Sequence, residues 1–292
     1  MKPPPFEYFA AESVEAAVAA LAEAGGDGKI IAGGQSLMPM LNFRLLRPSV
    51  LVDINRIPGL GYVRDDGDRI RIGALTRHYM LQTSELVAAQ LPVLHEAMQH
   101  VAHLAIRNRG TIGGSLSHAD PAAELPMMSL LLDARLEIQS HAGRRTVAAR
   151  DFFLGALTTA LEEDDLVVEI DLPKLPPRTG WAFEEVSRRS GDFALACVAV
   201  TLSDDHGKMA RVHIGMMGIG ETPLRADDAE LLLEGQPYGD ALVAEAVNVI
   251  RASVEPNTDL HASSDYRRHL VGVLAERAIT TAWRRATEAS RA

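Results

Sequence analysis

Two short glycine loops are the part of this sequence whose residue types and spacing could bind a ligand. The first reads IIAGGQS over residues 30–36, and the second reads GTIGGSL over residues 110–116. Glycine has no Cβ and tolerates positive φ, so neighbouring N–H groups can converge on an anion while Gln, Ser and Thr side chains add donors. One such loop is equally typical of a tight turn or a bulge. Two matching loops favour a ligand that carries phosphate.

The common nucleotide-binding motifs do not fit. The sequence contains no G-x-x-x-x-G-K-[ST] run, and its nearest approach to G-x-G-x-x-G, at Gly218, has Pro223 in place of the third glycine. P-loop and Rossmann sites are therefore disfavoured. Histidines cluster near the second loop, and His100 and His103 could share a helix face, but no third ligand follows at a fixed spacing. We predict no metal site and no catalytic acid–base set in this chain.

Helices and strands must hold the two loops in place. Ser13 is placed to cap a helix that begins at Val14 and ends at Gly25, and the run KIIAGG from residue 29 predicts a short buried strand that ends at the first glycine loop. Two glycine turns, after Asp66 and Ala142, predict antiparallel hairpins. Helical spacing covers about 76–107 with a break at Pro92, and the proline-rich run 173–180 predicts a linker before a second α+β region.

Composition excludes several classes of protein. The chain has 292 residues and a formal net charge of −10, which disfavours nucleic acid as a partner. It shows neither a signal peptide nor an apolar run long enough to cross a bilayer, so we expect a cytoplasmic protein without a transmembrane segment. Its one cysteine, Cys197, lies in an apolar run and cannot support a disulfide or an iron–sulfur cluster within this chain.

Longer stretches around the loops resemble one family. The stretches AGGQSLMPMLNFRLLRPSVLVDINRI and IRNRGTIGGSLSHADPAAELP look like the two FAD pyrophosphate loops of the flavin-binding medium subunit of molybdenum hydroxylases. That family includes aerobic carbon monoxide dehydrogenase and is related to the flavin domain of xanthine dehydrogenase. Residues 187–196 and 262–278 resemble the C-terminal domain of the same subunit, so the similarity extends over nearly the whole chain.

The resemblance implies an α+β fold in two domains. Residues 1–175 would form a two-part FAD-binding domain, with a small βαβ-like N-terminal lobe over about 1–57 and a mixed or antiparallel sheet lobe over 58–175. Residues 178–285 would form an α+β C-terminal domain with a three-stranded sheet and helices.

The resemblance also implies a set of FAD-binding residues. The first loop would wrap the phosphates through backbone donors, the second would approach from the other side, and Glu124 would contact sugar or ribitol hydroxyls. Phe193 would screen one flavin face, where it lacks the hydroxyl of a tyrosine. Some relatives carry lysine near the flavin ring where this chain has Glu184 and Glu185, and we expect at least one of these carboxylates to point away. The complete set is Lys29, Ile31, Ala32, Gly33, Gly34, Gln35, Ser36, Val101, Gly110, Thr111, Ile112, Gly113, Gly114, Ser115, Glu124, Leu166 and Phe193.

The family further implies an oxidoreductase complex. Its large subunit would carry molybdopterin, its small subunit two [2Fe–2S] clusters, and the assembly would be a dimer of heterotrimers. This chain would pass electrons from the clusters through FAD to a terminal acceptor. Two alternatives stay open, namely a self-contained flavin oxidoreductase and a non-catalytic assembly subunit. Turnover of a small substrate by the isolated chain would favour the first, and a colourless native complex the second. The sequence of this chain does not specify the substrate of the complex or its terminal electron acceptor.

Overall fold

The computed structural model describes residues 2–291 and begins with a small parallel sheet. The strands lie in the order β1-β3-β2, and all neighbours are parallel. The elements of this lobe are β1 (Glu7–Ala10), α1 (Val14–Ala24), β2 (Gly28–Ile31), α2 (Leu37–Asn42) and β3 (Val50–Asp53). The predicted βαβ-like lobe is confirmed, with an additional strand at β1 that the sequence reasoning did not identify.

The ends of α1 follow the sequence pattern. The Ser13 hydroxyl accepts a hydrogen bond from the Ala16 N–H at 3.1 Å, and Gly25 ends the helix at φ +54°. The buried face consists of Ala17, Val18 and Leu21, which pack in one core with residues of β3. This packing positions β2, and with it the first glycine loop, which follows β2 directly.

A five-stranded antiparallel sheet forms the second lobe, in the order β4-β5-β10-β6-β7. Both predicted hairpins are present, and the predicted helical stretch is divided into four helices, with Pro92 opening the third of them. The elements are β4 (Val63–Asp66), β5 (Arg69–Gly73), α3 (His78–Thr83), α4 (Glu85–Gln90), α5 (Pro92–His100), α6 (Leu104–Arg107), α7 (Ile112–His118), α8 (Glu124–Leu131), β6 (Arg135–Ser140), β7 (Gly143–Ala148), α9 (Ala149–Phe152), β8 (Phe153–Gly155), β9 (Thr158–Thr159) and β10 (Leu166–Pro173).

An antiparallel sheet and three helices complete the chain after residues 174–178. The sheet order is β11-β12-β13-β14, so the expected three long strands carry a fourth of only two residues. The elements are β11 (Thr179–Ser187), β12 (Ala194–Asp205), β13 (Lys208–Met217), β14 (Leu224–Arg225), α10 (Asp227–Leu233), α11 (Asp240–Ser253) and α12 (Ser264–Arg291). The predicted α+β class is confirmed.

The last sheet packs against both of its neighbours. Helix α12 crosses β11 so closely that a Cβ at Gly180 would overlap the backbone of Ala282. On the other face, Cys197 and Met217 join the core of the second lobe, where Cys197 is fully buried. Among residues 2–291, no helix is long and apolar enough to cross a membrane.

Candidate functional site

A cleft of about 910 Å³ opens between the two N-terminal lobes and extends to residues 191–193. Its volume is at the upper end of the range for sites that bind small molecules and cofactors. All but two of the site residues predicted from the sequence line it. The exceptions are Ile31, which lies in β2, and Ile112, which is buried in the core of the second lobe.

The first glycine loop presents unpaired backbone donors to the cleft. Within the described residues, the N–H groups of 33–36 donate no hydrogen bond to a protein acceptor. The Gln35 side chain folds back and donates to the Gly33 carbonyl at 2.8 Å, and Gly34 takes φ +71°. Four neighbouring N–H groups without partners suit the oxygens of an anion such as pyrophosphate.

The second loop is held by the protein itself. The Ile112 N–H donates to the Thr76 carbonyl at 3.1 Å, and the Gly113 N–H donates to the Ala74 carbonyl at 2.9 Å. Thr111 caps α7, and its hydroxyl accepts from the Gly114 N–H at 3.2 Å. These N–H groups are therefore already satisfied, unlike those of the first loop, and are not free to bind an anion.

The structure gives a further reason for glycine at two of these positions. A Cβ at Gly33 would overlap the carbonyl of Arg109 and come within 2.9 Å of the Gly110 Cα, because the two loops pack back to back. A Cβ at Gly113 would lie 2.6 Å from that of Ala74. From the sequence, the lack of a side chain at these glycines was attributed to ligand binding. The close packing of one backbone segment against another requires glycine there as well.

Glu124 begins α8 and lines the cleft while only 7% exposed. Burial, followed by the nearby charge of Glu185, raises the pKa of its carboxyl to about 8. Glu185 lies opposite Cys197 in the sheet, and its buried Oε2 has no hydrogen-bond partner among the described residues. Burial raises the pKa of Glu185 to about 7. The two acids therefore share a region from which water is largely excluded.

Glu184 and Glu185 leave β11 on opposite faces, because successive side chains alternate along a strand. Burial lowers the pKa of His100, and the charges of Glu96 and Glu184 partly offset this shift. Neither glutamate lines the cleft. The expectation that at least one of them points away agrees with this alternation.

The remaining predicted residues lie at the two ends of the cleft. Lys29 and Leu166 line the end formed by the N-terminal lobe, where Leu166 packs in the core of that lobe. Val101 and Phe193 line the other end, where a Cβ at Gly191 would reach the ring of His103. Phe193 is 63% exposed and Val101 only 6%, so the two differ in how far they reach solvent.

His78 is a cleft residue that sequence reasoning missed. It is 6% exposed, and neither ring nitrogen has a hydrogen-bond partner among the described residues. Desolvation lowers the pKa of His78 to about 4, so the imidazole is neutral at pH 7. The ring lies directly beside the second loop, as shown by the 2.8 Å that would separate a Cβ at Gly110 from the His78 Nδ1. A single histidine at the start of a short helix gives no sequence signal for this position.

Residues 157–165 are a second part of the cleft that the sequence did not indicate. They include β9 and Asp165, whose carboxylate is fully buried and accepts hydrogen bonds from Arg145 at 2.8 and 2.9 Å. The Arg145 guanidinium, which donates these hydrogen bonds, compensates the buried negative charge and holds the segment in place. The segment has no glycine pair, which explains why the sequence motifs passed over it.

Comparison with known proteins gives matches over nearly the whole chain. Residues 4–175 match the FAD binding domain in molybdopterin dehydrogenase, and residues 181–282 match the CO dehydrogenase flavoprotein C-terminal domain. The 6-hydroxypseudooxynicotine dehydrogenase complex subunit alpha of Paenarthrobacter nicotinovorans is 46% identical, covering 98% of this chain and 97% of that protein. The carbon monoxide dehydrogenase medium chain of Hydrogenophaga pseudoflava is 40% identical, covering 98% and 99%.

Solved structures agree with these matches. Carbon monoxide dehydrogenase from Hydrogenophaga pseudoflava, in a form that lacks the Mo-pyranopterin moiety of its cofactor, superimposes with a TM-score of 0.96 at 41% identity, covering 98% of this chain and 99% of that chain. Quinoline 2-oxidoreductase from Pseudomonas putida 86 superimposes with a TM-score of 0.92 at 38% identity, covering 99% of both chains.

Proposed function

Because this chain belongs to the family of FAD-binding subunits of molybdenum hydroxylases, we propose that it carries electrons from a partner's iron–sulfur clusters, through FAD, to a terminal acceptor. The observation that carries the proposal is the pair of glycine loops, which meet along one wall of a cleft large enough for a cofactor. FAD, when bound, accepts electrons singly and delivers them singly or in pairs.

The cleft residues divide into parts that suit the parts of FAD. The unpaired N–H groups of 33–36, with the hydroxyl of Ser115 in the second loop, would hold the pyrophosphate. Glu124 would bond ribitol or sugar hydroxyls, Lys29 and Leu166 would border the adenine, and Val101 and Phe193 the ring system. The neutral ring of His78 would offer a hydrogen bond without adding a charge.

The metal cofactors belong to other chains in this proposal. The only cysteine is fully buried, whereas two [2Fe–2S] clusters need several thiolates. Relatives carry subunit names such as alpha or medium chain, which supports membership of a complex. We propose a small iron–sulfur subunit and a large molybdopterin subunit as partners, in a dimer of heterotrimers.

Removal and return of FAD test this role. The complex is purified by a tag on this chain, freed of flavin with a chaotropic salt, and divided into two samples, one of which receives FAD again. After reduction with dithionite, electron paramagnetic resonance follows reoxidation of the clusters by a quinone, dioxygen or NAD. We expect fast reoxidation by at least one of these acceptors only in the sample with FAD.

Three results would contradict the proposal. Equal reoxidation in both samples would mean that electrons leave by another route. A tagged chain that purifies alone and oxidises a small substrate would support the self-contained flavin oxidoreductase instead. A chain that purifies without flavin in an active complex would identify a non-catalytic assembly subunit.

A further inference from the structure

Two polar side chains outside the cleft connect the two glycine loops. Asn55 follows β3, and its Nδ2 donates to the carbonyl of Ala32 at 2.8 Å, directly before Gly33. Arg77 precedes α3, and its Nη2 donates to the Asn55 Oδ1 at 2.7 Å. The Nη1 of Arg77 donates to the carbonyl of Arg109, directly before Gly110. A continuous chain of hydrogen bonds therefore runs from one loop to the other.

We propose that Asn55 and Arg77 form a latch that holds the two loops together and thereby sets how long FAD stays bound. The inference rests on the proposed function, in which these loops hold the FAD phosphates. Neither side chain lines the cleft, so both are positioning residues and not cofactor contacts.

The latch acts at a point where the two loops are in contact. Gly33 lies against the carbonyl of Arg109, and that carbonyl is the acceptor that Arg77 bonds. Removal of its donor breaks the chain of hydrogen bonds that joins the two loops, which favours their separation. Separation would move the four free N–H groups of the first loop away from Ser115 of the second loop.

The latch itself is anchored at its far side. The Asp53 carboxylate accepts from the Asn55 backbone N–H at 2.8 Å and from its Nδ2 at 2.6 Å, which fixes the amide orientation. A guanidinium can donate to two acceptors at once in a fixed geometry, whereas an ammonium is a point donor on a flexible stem. Lysine in place of Arg77 is therefore expected to retain only part of the function.

The test compares dissociation of FAD from four variants of the full chain: Arg77→Met, Arg77→Lys, Asn55→Ala and the double variant Arg77→Met/Asn55→Ala. Release is followed by the recovery of flavin fluorescence after dilution, and the melting temperature of the flavin-free chain is measured in parallel. Arg150→Met is the matched control, because Arg150 is also a partly exposed arginine that bonds one carboxylate, Asp227, away from the cleft.

We expect Arg77→Met to speed FAD dissociation about tenfold, the loss typical of one hydrogen bond with a charged donor. Asn55→Ala should have a similar effect, and the double variant should be no faster than the more affected single variant, because both belong to one chain of bonds. Arg77→Lys should lie between Arg77→Met and the wild type. Arg150→Met should leave the rate unchanged, and all flavin-free melting temperatures should stay close together.

The latch is rejected if Arg77→Met and Asn55→Ala leave the rate within twofold of the wild type, or if their effects add in full. It is also rejected if FAD is lost only through a smaller fraction of folded protein at an unchanged rate. If Arg77→Met does not fold, Asn55→Ala alone decides by the same criterion. A wild-type chain that holds no FAD would overturn the proposed function, and the latch with it, whereas unaffected variants would overturn the latch alone.

Discussion

Replacing Glu124 by Gln should stabilise the flavin-free chain at neutral and alkaline pH. The carboxyl is 7% exposed, and its burial and the neighbouring Glu185 raise its pKa from 4.5 to about 8. The folded chain therefore binds this proton more tightly than the unfolded chain does. The stabilisation that results is fully present below pH 4.5 and is lost as the pH rises through 8.

The size of the effect follows from the two pKa values. Each pH unit between them is worth about 1.4 kcal/mol, so the wild type loses about 3 kcal/mol between low pH and pH 7 through this group. Gln keeps a neutral side chain of the same shape at every pH. The gain in the free energy of unfolding from Glu124→Gln should thus grow from under about 1 kcal/mol at pH 5 to about 3 kcal/mol at pH 7.

Urea unfolding of the flavin-free chain at a series of pH values measures this gain. Glu245→Gln, at an exposed position on α11, is the matched control and should show no such increase. Glu185→Gln should lower the pKa of Glu124, because it removes the like charge nearby. A Glu124→Gln gain that stays constant from pH 5 to pH 8, or a loss of stability at pH 7, would refute the reasoning.

Three further substitutions test the fold around the cleft. Gly33→Ala should cost about 1–3 kcal/mol of unfolding free energy, because its Cβ would overlap the second loop. Gly239→Ala should cost much less, because a Cβ at Gly239 would face open space. Urea unfolding measures both costs, and equal costs would contradict the packing argument. Ser13→Ala should cost about 1 kcal/mol through loss of the α1 cap, and Ser13→Thr should restore most of it in the same assay. The wild type should lose stability as the pH falls from 6.5 to 4, because the unfolded chain then binds a proton that the buried imidazole does not. His78→Gln should remove this part of the pH dependence. An unchanged pH profile would disprove a neutral buried His78.

Local sequence signals predicted elements with strong caps and turns. The Ser13 cap, the Gly25 terminus and the two glycine hairpins depend on residues close together in the chain, so a single sequence carries the whole signal. Strand β1 was missed because its buried neighbour is β3, more than forty residues away, and its own four side chains are largely exposed. The domain boundary near residue 175 stays a prediction.

The cleft shows the same division between local and distant information. The glycine loops were readable because positive φ and close backbone approach restrict the residue type at each position. His78 and the segment 157–165 could not be predicted from the sequence, because their side chains are of common types that become cleft residues only through packing. The assignment of individual FAD contacts stays a prediction for both groups.

By itself the sequence determined the local backbone of the loops, the ends of the first helix and, through a resemblance to one family, the cofactor class. Tertiary structure decided which groups meet. It packed Gly33 against Arg109, removed water from Glu124 and Glu185, and joined the loops through Asn55 and Arg77. The physical reason is that backbone conformation depends on neighbours in the chain, whereas burial, desolvation and hydrogen bonding depend on residues that only folding brings together.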